Sequence, residues 1–321
     1  MIKGDKMKFY NTVIDDIRNN IEKVIIGKNE VIDLMLTALI SSGHILLEDV
    51  PGVGKTTIAK ALAKSINCDF KRVQFTPDLL PSDLTGINIY NQKTNEFEFR
   101  KGPVFTNILL ADEINRATPR TQSSLLEAME ERQTTVDGVT YKIEKPFLVI
   151  ATQNPIENYG TFPLPEAQVD RFLIKLKMGY PSREEEEKII NLFDKLNPLD
   201  SIKPVCQKDD IIKMQESFSD VYVDKDVLGY ILDIIDKTRN YKTIELGASP
   251  RASIVLFKAV QAYAYIHGRD FVTPDDVKYM APYILSHRII LKGESKLKNI
   301  DSNSIINEIL KETNIPLENG R

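Results

Sequence analysis

Three short stretches of this sequence carry side chains whose types and spacing suit phosphate chemistry. The first is Pro51-Gly52-Val53-Gly54-Lys55-Thr56-Thr57, set between an apolar run and a helix-like repeat of Ile58, Ala59, Leu62 and Ala63. Glycines let backbone N–H groups approach an anion, and the helix that follows offers the positive end of its dipole. Lys55 then reaches β and γ phosphates, and the Thr56 hydroxyl can ligate magnesium. The strict pattern has glycine at position 49, where this chain has Asp49. The second stretch, Ile108-Leu109-Leu110-Ala111-Asp112-Glu113, is a buried-strand pattern that ends in paired carboxylates. Asp112 suits the magnesium shell and Glu113 suits polarising an attacking water. The third, Phe147 to Ala151, runs into Thr152-Gln153-Asn154-Pro155. Asn154 can hydrogen-bond a γ phosphate or that water, although an asparagine before proline is by itself a turn residue.

Two arginines extend the set. Arg251 follows Ser249-Pro250, a helix start, so it falls in a first turn where the helix dipole disfavours a cation; a cation kept there can serve a ligand. Arg171, in Pro165-Glu166-Ala167-Gln168-Val169-Asp170-Arg171-Phe172, lies near a change of structural class and can reach the γ phosphate of a neighbouring subunit. Taken singly, each arginine is equally a surface ion pair.

These groups need elements to hold them. His44 to Leu47, Ile108 to Ala111 and Phe147 to Ala151 are apolar runs that each deliver polar groups at their C-terminal ends. Open α/β sheets with largely parallel strands receive ligands at that edge. Two further segments predict hairpins: Gly86 to Phe99, with alternating Ile87, Ile89, Phe97 and Phe99, and Thr135 to Ile143, turned by Asp137-Gly138. From Ser182 onward the pattern predicts capped helices with no convincing strand. Ser182 with Glu185 forms a capping box, a helix starts at Pro250 and runs to Gly268, and Thr273-Pro274-Asp275-Asp276 opens another. The acidic run Glu184 to Glu187 suits the first turn of a helix and needs no ligand to explain it.

Composition narrows the classes. With 321 residues, 42% hydrophobic and 27% charged, the chain is expected to fold as about two domains with a core large enough to need no staples. A formal net charge of -4 provides no global positive field for nucleic acid or an anionic membrane. Cys68 and Cys206 have no ligand-like neighbours and are expected to be reduced, structural thiols of a cytoplasmic protein. His44, His267 and His287 have no metal-ligand partners at suitable spacing and are expected to be structural. Neither a signal peptide nor a membrane span is expected, because the longest apolar stretch, Val31 to Ile40, is short and contains Asp33.

The segments Glu48 to Thr56, Ala111-Asp112-Glu113-Ile114-Asn115-Arg116-Ala117, Ala151 to Pro155, Leu164 to Phe172 and Ser249-Pro250-Arg251-Ala252 together resemble the MoxR family of AAA+ ATPases. That family commonly has Glu-Asp before the Pro-Gly, so Asp49 is in keeping with it. The resemblance implies an α/β fold: an AAA+ P-loop αβα nucleotide-binding core with a parallel sheet over residues 1–180, then an all-α helical lid over residues 181–321. It implies ATP or ADP with Mg2+ as cofactors, and a homo-oligomeric ring, commonly a hexamer, with ATP between subunits. By the same carry-over Asn154 is sensor 1, Arg171 the arginine finger and Arg251 sensor 2. Val24 to Gly27, with Ile26 and Gly27 as ligands, lines the adenine pocket, and the hairpin at 86–99 is the helix-2 insert. The hairpin at 135–143 is the one preceding sensor 1. Arg116 either contacts a neighbouring subunit or caps the next helix. The clients implied are proteins to be remodelled or matured, often alongside a von Willebrand factor A domain protein. The alternatives are a related motor acting on nucleic acid or in metal chelation, and a nucleotide-gated scaffold; retention of both Asp112 and Glu113 weighs against the scaffold.

Overall fold

The structure, a computed structural model, describes residues 3–154, 160–194, 197–294 and 301–316. Two helices, α1 (Lys3–Glu22) and α2 (Asn29–Ile40), precede the first strand, β1 (Ile45–Glu48). Then follow α3 (Lys55–Ser65), β2 (Phe70–Gln74), α4 (Pro81–Thr85) and a hairpin of β3 (Gly86–Asn91) and β4 (Glu96–Lys101). The strand β5 (Ile108–Asp112) leads to α5 (Pro119–Glu131), a second hairpin of β6 (Gln133–Val136) and β7 (Val139–Lys142), and β8 (Leu148–Gln153). A single turn, α6 (Glu166–Val169), and β9 (Ile174–Leu176) complete this half.

The strand order is β2-β5-β8-β1-β9, and every pairing is parallel. Residues of β5 and β8 are buried on both faces, which is why each is a near-continuous apolar run in the sequence. The pleat divides their side chains. Ile45, Leu47, Ile108, Leu110, Leu148 and Ile150 join the core on the α1–α3 side. Leu46, Leu109, Ala111, Val149 and Ala151 join the core under α5. The sheet has five strands, two more than the apolar runs predict, because β2 lies at an edge and β9 is three residues long.

Both predicted hairpins form. Asp137 and Gly138 turn the second with φ of 50° and 79°, the left-handed pair expected of a two-residue loop. The hairpins also meet: Asn88 donates to Asp137 at 2.7 Å, and the rings of Phe99 and Tyr141 stack at 3.9 Å.

The remainder contains α7 (Arg183–Phe193), α8 (Lys208–Ser217), α9 (Lys225–Asn240), β10 (Ile244–Leu246), α10 (Pro250–Ile266), α11 (Pro274–Leu285), β11 (Ile290–Leu291) and α12 (Ser302–Glu312). The capping box at Ser182 forms as expected, the helix expected after Thr273 starts with a capping box of its own, and Ser249 Oγ accepts from Ala252 N–H. The helix after Ser249 ends at Ile266, two residues before Gly268. The expectation that no strand follows Ser182 is corrected by the antiparallel pair β10 and β11, too short to leave a periodic signal. Apolar packing continues from the α1–α3 side of the sheet into this helical region, where Leu256, Val260, Met280 and Ile284 are fully buried. Each such side chain contributes about 1.5–3 kcal/mol. Among the described residues, no helix is long and apolar enough to cross a membrane.

Candidate nucleotide site

At the C-terminal end of β1 the chain turns through Gly52 and Gly54 with φ of 88° and 93°, a conformation only glycine adopts without strain. Gly54 is the N-cap of α3 and provides no side-chain cap, so the first N–H groups of that helix point at a cleft. Pro51, Gly52, Gly54, Lys55, Thr56, Thr57, Arg72, Gln74, Asp112 and Glu113 line it. The predicted phosphate loop and the predicted carboxylates thus share one cavity, which also receives two side chains from β2 that sequence reasoning did not single out.

The carboxylates are held from behind. Thr152, fully buried on β8, donates its hydroxyl to Asp112 Oδ1 at 2.6 Å and accepts the Glu113 N–H at 2.9 Å. Glu113 has φ of 57°, a left-handed conformation that costs a non-glycine residue about 1–2 kcal/mol and that this clamp maintains. Its Oε2 accepts from Gln74 Nε2 at 2.7 Å and from Arg116 at 3.0 Å. Arg116 therefore turns back onto its own strand end. Asp112 Oδ2 accepts from Arg72 at 2.5 and 3.1 Å. Thr56 and Asp112 present hard oxygen donors to the same cleft, the donor chemistry that magnesium prefers.

Asp49, the departure from the strict motif, has a structural reason. Its carboxylate is buried and accepts from the backbone N–H groups of Met178 and Gly179, at the exit from β9, while its carbonyl accepts from Lys55 Nζ at 3.1 Å. Asn154 is buried just past the C-terminal end of β8, beside this edge of the sheet. Pro155 lies outside the described residues. Val24 and Ile25 are buried between the first two helices, Ile26 is half-buried and Gly27 exposed, with φ of 70° and the Glu185 side chain against it. Neither Ile26 nor Gly27 lines the cleft.

The two arginines do not join this cleft either. Arg171 and Arg251 line a second one with Ser42, His44, Glu130, Asp170 and Arg288. Ser42 and His44 precede β1, so this cleft opens at the N-terminal end of the strand whose other end carries the phosphate loop. Four strand residues separate them, about 13 Å. Within one chain, Arg251 therefore lines a different cleft from Lys55. One carboxylate holds both arginines: Glu130 Oε1 lies 3.0 Å from Arg251 and Oε2 3.2 Å from Arg171. Behind them, Arg288 is buried against Asp170 Oδ1 at 2.7 Å, and burial pulls its guanidinium down to about 10. Nothing local in the sequence marks Glu130 or Arg288.

The histidines are all engaged by protein groups. His44 Nδ1 accepts from Val149 N–H and Nε2 donates to the Met129 carbonyl, each at 3.0 Å. Burial lowers its pKa to about 4. His287 lies against the Phe172 carbonyl, and His267 against Asp33 and the Tyr263 ring. Cys68 and Cys206 are free thiols pushed up to about 12 by burial, which leaves them unreactive.

Comparison with known proteins agrees with this geometry. Residues 44–174 match the family described as ATPase family associated with various cellular activities (AAA), and residues 236–309 match the AAA lid domain. Uncharacterized protein YeaC of Bacillus subtilis is 54% identical, over 93% of each chain. Chaperone MoxR1 of Mycobacterium tuberculosis is 41% identical, over 94% of this chain and 81% of its own. A solved structure from Cytophaga hutchinsonii superposes with a TM-score of 0.92 at 41% identity, covering 98% of both chains. A full-length MCM homolog from Methanopyrus kandleri shares the fold, with a TM-score of 0.60 at 17% identity over 89% of this chain and 62% of that one.

Proposed function

The chain belongs to the MoxR family of AAA+ ATPases, and from that premise we propose that it hydrolyses Mg-ATP in sites shared between subunits of a ring and uses the cycle to remodel a partner protein. One observation supports the shared site above all. Arg171 and Arg251 open on the far end of β1 from Lys55, so the phosphate they suit is not the one their own chain cradles.

In this reading Lys55 and the N–H groups of the glycine turn bind the β and γ phosphates. Thr56 and Asp112 would hold magnesium, which would supply neutralising charge there. Glu113 orients a water whose oxygen attacks the γ phosphorus and accepts the water's proton, while the bond to the β–γ bridging oxygen breaks. Asn154 orients the γ phosphate or the water. Arg171 and Arg251 of the adjacent subunit neutralise charge on the departing side. Ile26 and Gly27 contact the base, at the junction with α7.

A protein client is supported by the paired hairpins, whose exposed side chains include the apolar Ile87, Ile89, Tyr90 and Phe97. A client of this kind fits the name borne by the mycobacterial relative. A von Willebrand factor A domain partner, a hexameric ring and a cytoplasmic location complete the proposal.

The test is ATP turnover against protein concentration for the wild type, Glu113→Gln, Arg171→Ala and a mixture of the two variants. Specific activity that rises with concentration, with activity regained only in the mixture, is the expected result. Concentration-independent turnover, or full activity in Arg171→Ala alone, would remove the shared site while leaving the ATPase intact.

A further inference from the structure

Asp112 divides its two oxygens between two environments. Oδ1 faces inward and is taken by the Thr152 hydroxyl at 2.6 Å. Oδ2 faces the cleft and carries both Arg72 contacts, Nη2 at 2.5 Å and Nε at 3.1 Å. Oδ2 is therefore the oxygen available to an incoming cation, and a cation already sits on it.

The placement of Arg72 follows from register. Gln74 pairs with Asp112 across β2 and β5, so Arg72 is two residues back and projects from the same face of the strand. As β2 is the edge of the sheet, the guanidinium has room to leave; its side chain is 48% exposed against 12% for Asp112. A carboxylate that far from water is costly without a partner, and Arg72 supplies one. The same Nη2 also donates to Gln74 Oε1 at 3.2 Å, and Gln74 in turn holds Glu113. A single chain of contacts thus links Asp112, Arg72, Gln74 and Glu113.

We infer that Arg72 and a divalent cation compete for Asp112 Oδ2, so that metal entry frees Arg72. Arg72 is a positioning residue in this scheme. The inference rests on the reading of this cleft as a Mg-nucleotide site, and it is independent of the ring.

The experiment is a divalent titration at saturating ADP, with Mn2+ binding followed by electron paramagnetic resonance, which requires no turnover and no neighbouring subunit. Arg72→Gln is expected to lower the midpoint about fivefold, the scale of a half-exposed ion pair lost from the competition. Arg72→Lys, which keeps the charge without the two-pronged contact, is expected to fall between the variant and the wild type. On an Asp112→Asn background, Arg72→Gln is expected to change nothing. An unchanged midpoint in a natively folded Arg72→Gln, or an equal shift with and without Asp112, would overturn the inference. A wild type that binds ADP without any Mn2+ at the protein would overturn it together with the reading of the cleft; normal Mn2+ binding with an unmoved midpoint would overturn the inference alone.

Discussion

The phosphate-loop cleft and the arginine cleft occupy opposite ends of β1 and are built from different materials. The first is mainly backbone: two glycines at positive φ, the open start of α3, and strand ends that deliver Asp112 and Glu113. The second is almost wholly side chain, with Glu130 from α5, Arg171 after α6, Arg251 from α10 and Arg288 after α11. A backbone cradle is a contiguous motif. A side-chain cleft exists only when four distant segments have folded together, and in this one Glu130 and Asp170 are shared among Arg171, Arg251 and Arg288.

That contrast breaks most severely if the two clefts prove to act alone. Arg171→Ala is expected to lower kcat about 10³-fold while ATP affinity stays within about threefold, whereas Lys55→Ala should remove binding itself. Equal loss of binding in both, measured by equilibrium titration with a fluorescent nucleotide, would merge the two clefts into one function.

Thr152→Val tests the rigidity of the first cleft. Removing the hydroxyl leaves Asp112 Oδ1 without its donor and the Glu113 N–H without its acceptor, and a loss of about 10- to 100-fold in kcat is expected, as for other supporting groups around a cation. Steady-state kinetics with an unchanged far-ultraviolet spectrum would make the measurement specific.

The second cleft has its own pH sensitivity, because His44 forms part of its wall and is neutral in the folded state. Its folded pKa near 4 lies below the ordinary 6.5, so the stability tied to the neutral ring is complete above pH 6.5 and is lost as the pH falls toward 4. At pH 5 the loss is about 2 kcal/mol relative to pH 7. Urea denaturation at the two pH values should register it, and His44→Gln should shrink the difference by about that amount. No change in the variant's pH dependence would relocate the effect to other groups.

Glu130→Gln gives the smallest signal. The carboxylamide still spans the two arginines but no longer neutralises them, and a change of about threefold in kcat is expected. Because the pair lies only in the second cleft, ADP affinity should not move. A variant with weakened ADP binding would show that the clefts communicate in the isolated chain.

The sequence made the first cleft readable and hid much of the second for the same reason. The central strands β5 and β8 are buried on both faces, so their apolar runs stand out and the polar groups at their ends could be assigned. β2, with the sequence Phe-Lys-Arg-Val-Gln, is an exposed edge whose composition resembles a loop, and Arg72 and Gln74 went unnoticed with it. Arg171 and Arg251 were distinguishable as motif residues. Their common partner was not, because Glu130 lies 121 residues before Arg251 in an ordinary-looking helix turn. β10 and β11 escaped because three- and two-residue strands have no period to detect. Asp49 is the reverse case: visible in the sequence as an irregularity, it has a purpose only once the chain returns past it at Met178 and Gly179.

Asp49 grips two things at once, Lys55 through its carbonyl and the root of the helical region through its carboxylate. The span between those grips is one residue, with no loop to absorb slack. Lys55 and the chain that leads into α7 are therefore tied through Asp49, without an intervening segment.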